Sequence, residues 1–324
     1  MNFYYIYKTL AHPENNKYVA PFSLNERLMH VAEAKQQLQT NFHWICDSMD
    51  NDLKHALGDR PNSEFVIDRD GRVVVSRQWS NPSELREDLE SLIGKVERPT
   101  KISDLNMKPL QPPKTAPTGV VPRIRLPGGM SPVKVEPVAE ADGEPFYVKL
   151  RAEIDGGFSR DGDGKLYLGF FLDPLYKVHW NNQAAPVSFE IESTKGVVVD
   201  RSEATAPKIE EPADADPREF LIEIRRDDDR SSRGPGEILL TVRYFACDDA
   251  ETFCKPVRQS YRIILERDRD GGSRRSGGGR SSSQRRPSRP PMTREQFNQL
   301  SEEQKRRLRQ RREQIRQESR RSPR

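Results

Sequence analysis

At 324 residues the chain is long enough for two domains with unstructured segments beside them, yet only 34% of it is hydrophobic against 32% charged, so a large part lies outside any core. The formal charge of +4 is unevenly laid out: residues 271–324 hold 17 Lys and Arg against 5 Asp and Glu, net +12, and the remainder is net −8. No run approaches the ~20 apolar residues of a membrane span, and three cysteines with five scattered histidines offer no C-x-x-C, no zinc-type spacing and no nucleophile triad, so neither a metal nor a cofactor is expected.

Residues 2–8 read as a buried strand that begins abruptly; Phe3-Tyr4-Tyr5-Ile6-Tyr7 is too short for a signal peptide and no cleavage pattern follows. Ser23 caps a helix over 24–40, where Leu24, Leu28, Val31, Ala32 and Leu38 make a helical stripe. His43 to Cys46 is a short strand, Asp47 a cap, and 50–57 a short helix ending at Gly58. Strands at 64–68 and 72–78 flank the turn Asp68-Arg69-Asp70-Gly71, and Asn81-Pro82 opens an amphipathic helix through Leu85, Leu89, Leu92 and Ile93.

Three stretches here carry a family likeness: Tyr5-Ile6-Tyr7 with Ala11-His12-Pro13, then Trp44 to Asp50, then Pro61 to Val73. Across residues 2–94 the chain resembles the thioredoxin-like superfamily, specifically redoxins of the peroxiredoxin and deiodinase-like kind. The resemblance implies an α/β domain whose redox cysteines lie on a strand–helix unit ahead of the strand at 2–8. Residues 1–95 are therefore expected to form an incomplete, N-terminally truncated thioredoxin-like domain. Pro61 falls near the family's cis-proline, which implies a partner-binding role; a turn proline before a strand is the plainer reading. Cys46, on an apolar strand, reads as a small buried thiol.

Residues 96–131 carry seven prolines with little periodicity and read as a semi-extended linker that lets two domains move independently, with Val120 to Leu126 able to pack as an extended segment. From 132 to 267 the pattern changes to strands alone: 132–138, 146–154, 165–172, 176–180, 186–192, 196–200, 219–225, 237–246 and 257–266. That spacing argues for an antiparallel β-sandwich. Asp161-Gly162-Asp163-Gly164 fails the calcium-loop pattern at its fifth and twelfth positions and reads as a hairpin turn.

The last two strands flank an acidic loop with a cysteine at each end. Parity puts Ile238, Leu240, Val242, Tyr244 and Ala246 on one face of the first strand, and Val257, Tyr261, Ile263 and Leu265 on the apolar face of the second. Cys247 and Cys254 then share the more polar side, within reach of a disulfide unless Pro256 or a bulge breaks the register. Asp248, Asp249 and Glu251 disfavour a thiolate while Arg243 and Lys255 favour one, so a strongly activated nucleophile is not indicated. Two readings stand: a staple worth about 2 to 3 kcal/mol, or a pair that waits for a partner thiolate. Cys247 and Cys254 are the candidate catalytic residues; Phe245, Asp248 and Asp249 beside them, with Pro61, are the candidate partner-binding residues.

Tyr176 to Asn182, Val242 to Cys247 and Cys254 to Val257 give this second domain a resemblance to the periplasmic N-terminal domain of the thiol:disulfide interchange protein DsbD, an immunoglobulin-like fold. The resemblance implies that Cys247 and Cys254 exchange electrons with thioredoxin-like or other thiol proteins in the periplasm or another exported location. Six residues separate the cysteines, where five or fewer is commoner in that family, and no transmembrane module follows. Residues 268–291 read as a disordered Gly/Ser/Arg linker and 292–324 as a basic charged helix opened by a Thr293–Gln296 capping box. Aromatic residues for base stacking are almost absent there, which argues against nucleic acid; an acidic surface is the expected docking partner. The expected function is thiol–disulfide oxidoreductase chemistry, with a non-enzymatic scaffold anchored by its basic tail as the alternative.

Overall fold

The computed structural model describes residues 1–14, 18–98, 100, 104, 116–138, 144–227 and 234–272. These all belong to one compact unit, residues 1–275. The basic helix expected over 292–324 and its capping box lie outside the described residues. Among those described, no helix is long and apolar enough to cross a membrane.

The first third of the chain is a run of small elements, each closed by the residues the sequence supplies for it. Strand β1 (Tyr4–Tyr7) leads through helix α1 (Leu24–Leu38) to β2 (His43–Cys46), and β1 and β2 pair in parallel. Ser23 caps α1 by accepting from the Glu26 amide at 3.2 Å, and the Glu26 carboxylate reaches back to the Phe22 amide at 2.6 Å. Helix α2 (Asp52–Ala56) is held from outside its first turn: the buried Asp47 carboxylate accepts from the amides of Ser48, Leu53 and Lys54, each at 2.9 Å. Strands β3 (Glu64–Ile67) and β4 (Val73–Arg77) form an antiparallel hairpin, and helix α3 (Pro82–Ile93) follows with Asn81 as cap and Pro82 in its first turn. The β1–β2 and β3–β4 pairs remain separate two-stranded sheets.

The remainder is mostly β. In chain order come β5 (Ser131–Val138), β6 (Val148–Ile154), α4 (Gly156–Asp161), β7 (Asp163–Leu172), β8 (Val178–Asn181), β9 (Ser188–Lys195), β10 (Val197–Val199), β11 (Glu203–Thr205), β12 (Ala213–Asp214), β13 (Arg218–Arg226), β14 (Glu237–Asp248) and β15 (Cys254–Arg267). One face runs β10-β13-β7-β6-β5 and the other β5-β15-β14, continuing to β8 and β12 beside one end of β14 and to β9 and β11 beside the other. Strand β5 belongs to both faces, and they pack on one another: Phe189 of β9 lies 5.0 Å from Phe220 of β13 and 6.3 Å from Phe170 of β7, centroid to centroid.

The strand alternation is realised, and β11 and β12 are additions too short to leave a periodic trace. Asp161–Gly164 is not the expected hairpin turn. Asp155 caps the short helix α4 by accepting from the Phe158 amide, and Gly162 ends it at φ 82°, a conformation a side chain disfavours. Val120 to Leu126 packs as the extended segment foreseen: Asp216 accepts from the amides of Gly119, Val120 and Val121, and Glu219 accepts from the amide of Ile124 and pairs with Arg123.

The N-terminal elements rest directly on the β-portion. The Phe22 ring stands 5.9 Å from Phe146 and 6.1 Å from Tyr261, and Glu26 receives Lys149 at 2.5 Å and the Tyr176 hydroxyl at 2.7 Å. The chain after β15 strengthens this contact instead of leaving the body at 268. Asp270 pairs with Lys54 and His55, and the carbonyls of Gly271 and Gly272 accept from Arg151.

Burial in this seam perturbs two groups in opposite directions. Desolvation lowers His30 to about 4, with Glu26 opposing and Lys149 reinforcing, and the Tyr7 hydroxyl lies 2.6 Å from its Nδ1. Desolvation raises Asp173 to about 6 against the pull of Lys149. His30, neutral when folded, contributes stability that is present above its unfolded pKa near 6.5 and is lost as pH falls towards 4; Asp173 contributes stability below its unfolded pKa that is lost as pH rises through about 6. His30→Gln removes only the first effect. Between pH 7 and pH 4.5, urea unfolding is expected to show the variant losing about 2 to 3 kcal/mol less stability than the parent.

Candidate functional site

Strand β14 pairs with β15 in an unshifted register from Glu237–Ile264 to Cys247–Cys254. The Asp248 amide donates to the Phe253 carbonyl at 3.1 Å, which makes that a hydrogen-bonded pair and Cys247–Cys254 the neighbouring non-hydrogen-bonded one, where facing side chains come closest. The two cysteines form a disulfide with their Cα atoms 4.0 Å apart. Pro256 does not disturb this. Two rungs further on, opposite Phe245, its backbone nitrogen faces away from β14, and β5 joins β15 only from Ser260 onwards, so no ladder bond is lost.

Parity separates the sheet's sides as the sequence indicates. Ile238, Leu240, Val242, Tyr244 and Ala246 are buried with Val257, Tyr261, Ile263 and Leu265 in the core, while Arg243, Phe245 and the cysteines occupy the outer side. The two sulfurs nonetheless differ. Cys247 is 8% exposed, whereas Cys254, on the flank away from β8, is exposed.

The loop between them is closed by its own polar groups. The Asp248 carboxylate accepts from the Thr252 amide at 2.6 Å, the Thr252 hydroxyl at 2.7 Å and the Phe253 amide at 2.8 Å, and these bonds hold its pKa below the usual carboxylate range. Asp248 is therefore a loop-forming residue. Asp249 ties the loop to β8: its amide donates to the Lys177 carbonyl at 2.8 Å and its carboxylate meets His179 Nδ1 at 3.0 Å.

Strand β8 supplies two site residues that the sequence reading left unassigned. Val178 and Trp180 turn inward, Trp180 donating to the Asp216 carbonyl at 2.6 Å, so His179 and Asn181 stand on the outer side. His179 is the register partner of Cys247, and Asn181 donates to Cys254 Sγ at 3.2 Å. Their alternation with Val178 and Trp180 was visible in the sequence; that β8 lies beside β14 was not. Phe245, half-buried, lines a pocket with Asn181, Pro186 and Ile209 that has about 10 Å³ of room, a single water's worth.

Pro61 stands on another loop of the chain. It lies exposed on the loop between α2 and β3, and no peptide bond among the described residues is cis, so the family's cis-proline arrangement is not present there. Cys46 is a free, half-buried thiol on β2 whose pKa is raised by desolvation, with Arg27 opposing and Asp47 reinforcing, which favours the unreactive thiol form. Among the described residues, no cluster of three His, Cys, Asp or Glu is arranged to hold a metal ion.

No family model matches the chain, and no curated protein does. The crystal structure of a FixG-related protein from Vibrio parahaemolyticus is similar to it over 37% of this chain and 97% of that one, at 11% identity and a TM-score of 0.17, a likeness too slight to carry an argument.

Because the loop is tied by Asp248 independently of the sulfurs, the Cys247→Ser, Cys254→Ser double variant is expected to lose only about 2 to 3 kcal/mol in urea unfolding. The amides of Thr252 and Phe253 are expected to keep slow hydrogen exchange. Their full deprotection would show instead that the disulfide shapes the loop.

Proposed function

We propose that this protein exchanges disulfides with thiol proteins through Cys247 and Cys254. One observation carries the reading: a disulfide at the end of a hairpin joins an exposed cysteine to a buried one. A partner thiolate attacks Cys254 Sγ, forms a mixed disulfide there and displaces Cys247 as thiolate; the partner's second thiolate then attacks its own sulfur in that bond and displaces Cys254, leaving the partner oxidised and the pair reduced. Accessible disulfides are the ones that turn over. A staple would be buried or would close a loop nothing else closes, and Asp248 already closes this one.

The resemblances drawn from the sequence extend this proposal. They supply an immunoglobulin-like reading of the β-portion, a thioredoxin-like reading of the N-terminal elements, thioredoxin-like proteins as partners, and the periplasm or another exported location as the setting. The scaffold alternative, in which the pair is structural, predicts that the double Ser variant loses stability and keeps its partners.

With Cys46→Ser as background, Cys247→Ser is expected to displace thionitrobenzoate from a thioredoxin-type protein whose single active-site cysteine carries it as a mixed disulfide, and Cys254→Ser to do so about tenfold more slowly or not at all, in proportion to cysteine access. Non-reducing gel electrophoresis reads the adduct. Quantitative resistance of the native pair to a thioredoxin-type dithiol would remove the proposal.

A further inference from the structure

Resting on that reading, we propose that His179 is the acid–base partner of Cys247, held in place by Asp249. Three strands put the groups in one row across the outer face of the sheet: His179 on β8, Cys247 on β14 and Cys254 on β15, each facing its neighbour in register. Asn181, two residues along β8 and on the same side as His179, touches Cys254 Sγ at 3.2 Å, so this side of β8 overlies the disulfide. The His179 side chain is only 18% exposed, and Asp249 Oδ1 lies 3.0 Å from its Nδ1. A carboxylate accepts, so Nδ1 carries the proton of that bond and Nε2 is the atom left to gain or lose one.

The chemistry at Cys247 calls for such a group. When a partner thiolate attacks Cys254 Sγ, the new S–S bond forms as the Cys247–Cys254 bond breaks, and the electron pair of the broken bond leaves on Cys247. An imidazolium at His179 stabilises that thiolate and gives it the Nε2 proton. The partner's second thiolate then attacks its own sulfur in the mixed disulfide and expels Cys254 as thiolate; in the opposite direction, where Cys254 thiolate has attacked a partner disulfide, His179 takes the proton from the Cys247 thiol, and the thiolate attacks Cys254 Sγ and expels the reduced partner. No further oxidant or reductant is needed.

The surrounding charges otherwise work against a thiolate. Asp248 and Asp249 lie on the loop with Glu251 beyond them, and Lys177 precedes β8 with its carbonyl bonded to the Asp249 amide. On β15, Lys255 is occupied by Glu144 at 2.5 Å and the rings of Tyr147 and Phe253; on β12, Asp214 is neutralised by Arg218 at 2.7 Å. His179 is the basic side chain whose register places it opposite Cys247. Asp249 is a positioning residue, since it acts through the imidazole.

The test separates this inference from the reading beneath it. In Cys46→Ser, Cys254→Ser protein, where Cys247 is the remaining thiol, thiolate absorbance near 240 nm is titrated with and without His179→Gln. The expected result is a Cys247 pKa higher by about one unit in the variant, a tenfold loss of thiolate near neutral pH. Asp249→Asn is expected to move it partway and Asp249→Glu to restore it. In the native disulfide form, reduction by a thioredoxin-type dithiol is expected to be about tenfold slower with His179→Gln at pH 6. That gap should narrow at alkaline pH, where a histidine no longer has a proton to supply. Identical Cys247 titrations would overturn the role of His179 even if exchange occurs. Altered titrations in a protein whose disulfide resists every dithiol would uphold the local pairing and overturn the exchange function.

Discussion

The unbroken register between β14 and β15 is the constraint on which the rest of this structure depends. Side chains on a strand alternate with a period of two, so a slip of one residue would turn Tyr244 and Ala246 outward and drive Arg243 and Phe245 into the core. The same slip would part the cysteines. Core and candidate site are therefore specified together: the apolar alternation that buries Leu240, Val242 and Tyr261 also delivers Cys247 opposite Cys254. Gln259, the polar exception on the inner side, is bonded to the Tyr244 hydroxyl at 2.6 Å and to the Pro145 carbonyl at 3.0 Å, so its burial leaves its amide partnered.

A second constraint joins the N-terminal elements to the β-portion. Lys149, Glu26 and Asp173 are all buried in one seam, with the Lys149 ammonium 4.9 Å from the Phe22 ring and 5.4 Å from the Tyr176 ring. Charges out of water are tolerable only when paired, and here each partner comes from a different part of the chain: Glu26 from α1, Lys149 from β6, and Asp173 from the bend after β7. Separating the two parts would expose apolar rings and leave buried charges without partners. The linker at 96–131 thus connects portions that are docked by specific contacts, whatever freedom its proline content would allow by itself.

Around the cysteines, the division of labour among polar groups explains why acidic residues next to the sulfurs need not prevent chemistry. Asp248 is engaged in the loop's own hydrogen bonds, Asp249 in orienting His179, and Asn181 in holding the exposed sulfur. The arrangement leaves Cys254 open for contact and Cys247 beneath it with an ionisable ring on the adjacent strand. In the proposed exchange, this asymmetry between the two cysteines gives the partner a direction of approach.

Local pattern was enough to read the strands, the caps at Ser23 and Asn81, the loop between the cysteines and the side of the sheet on which they fall. Each depends on neighbours within a few residues: an alternation, a hydroxyl three residues before an amide, two thiols at the ends of one turn. The sequence by itself therefore determined the β character of residues 132–267 and put Cys247 and Cys254 on one side of a hairpin, within reach of one another. Only the tertiary structure decided that β8 lies against β14, that Asn181 reaches Cys254, and that Glu26 finds Lys149. Those contacts join segments up to 123 residues apart, and no periodicity in a chain records which distant strand will lie beside which.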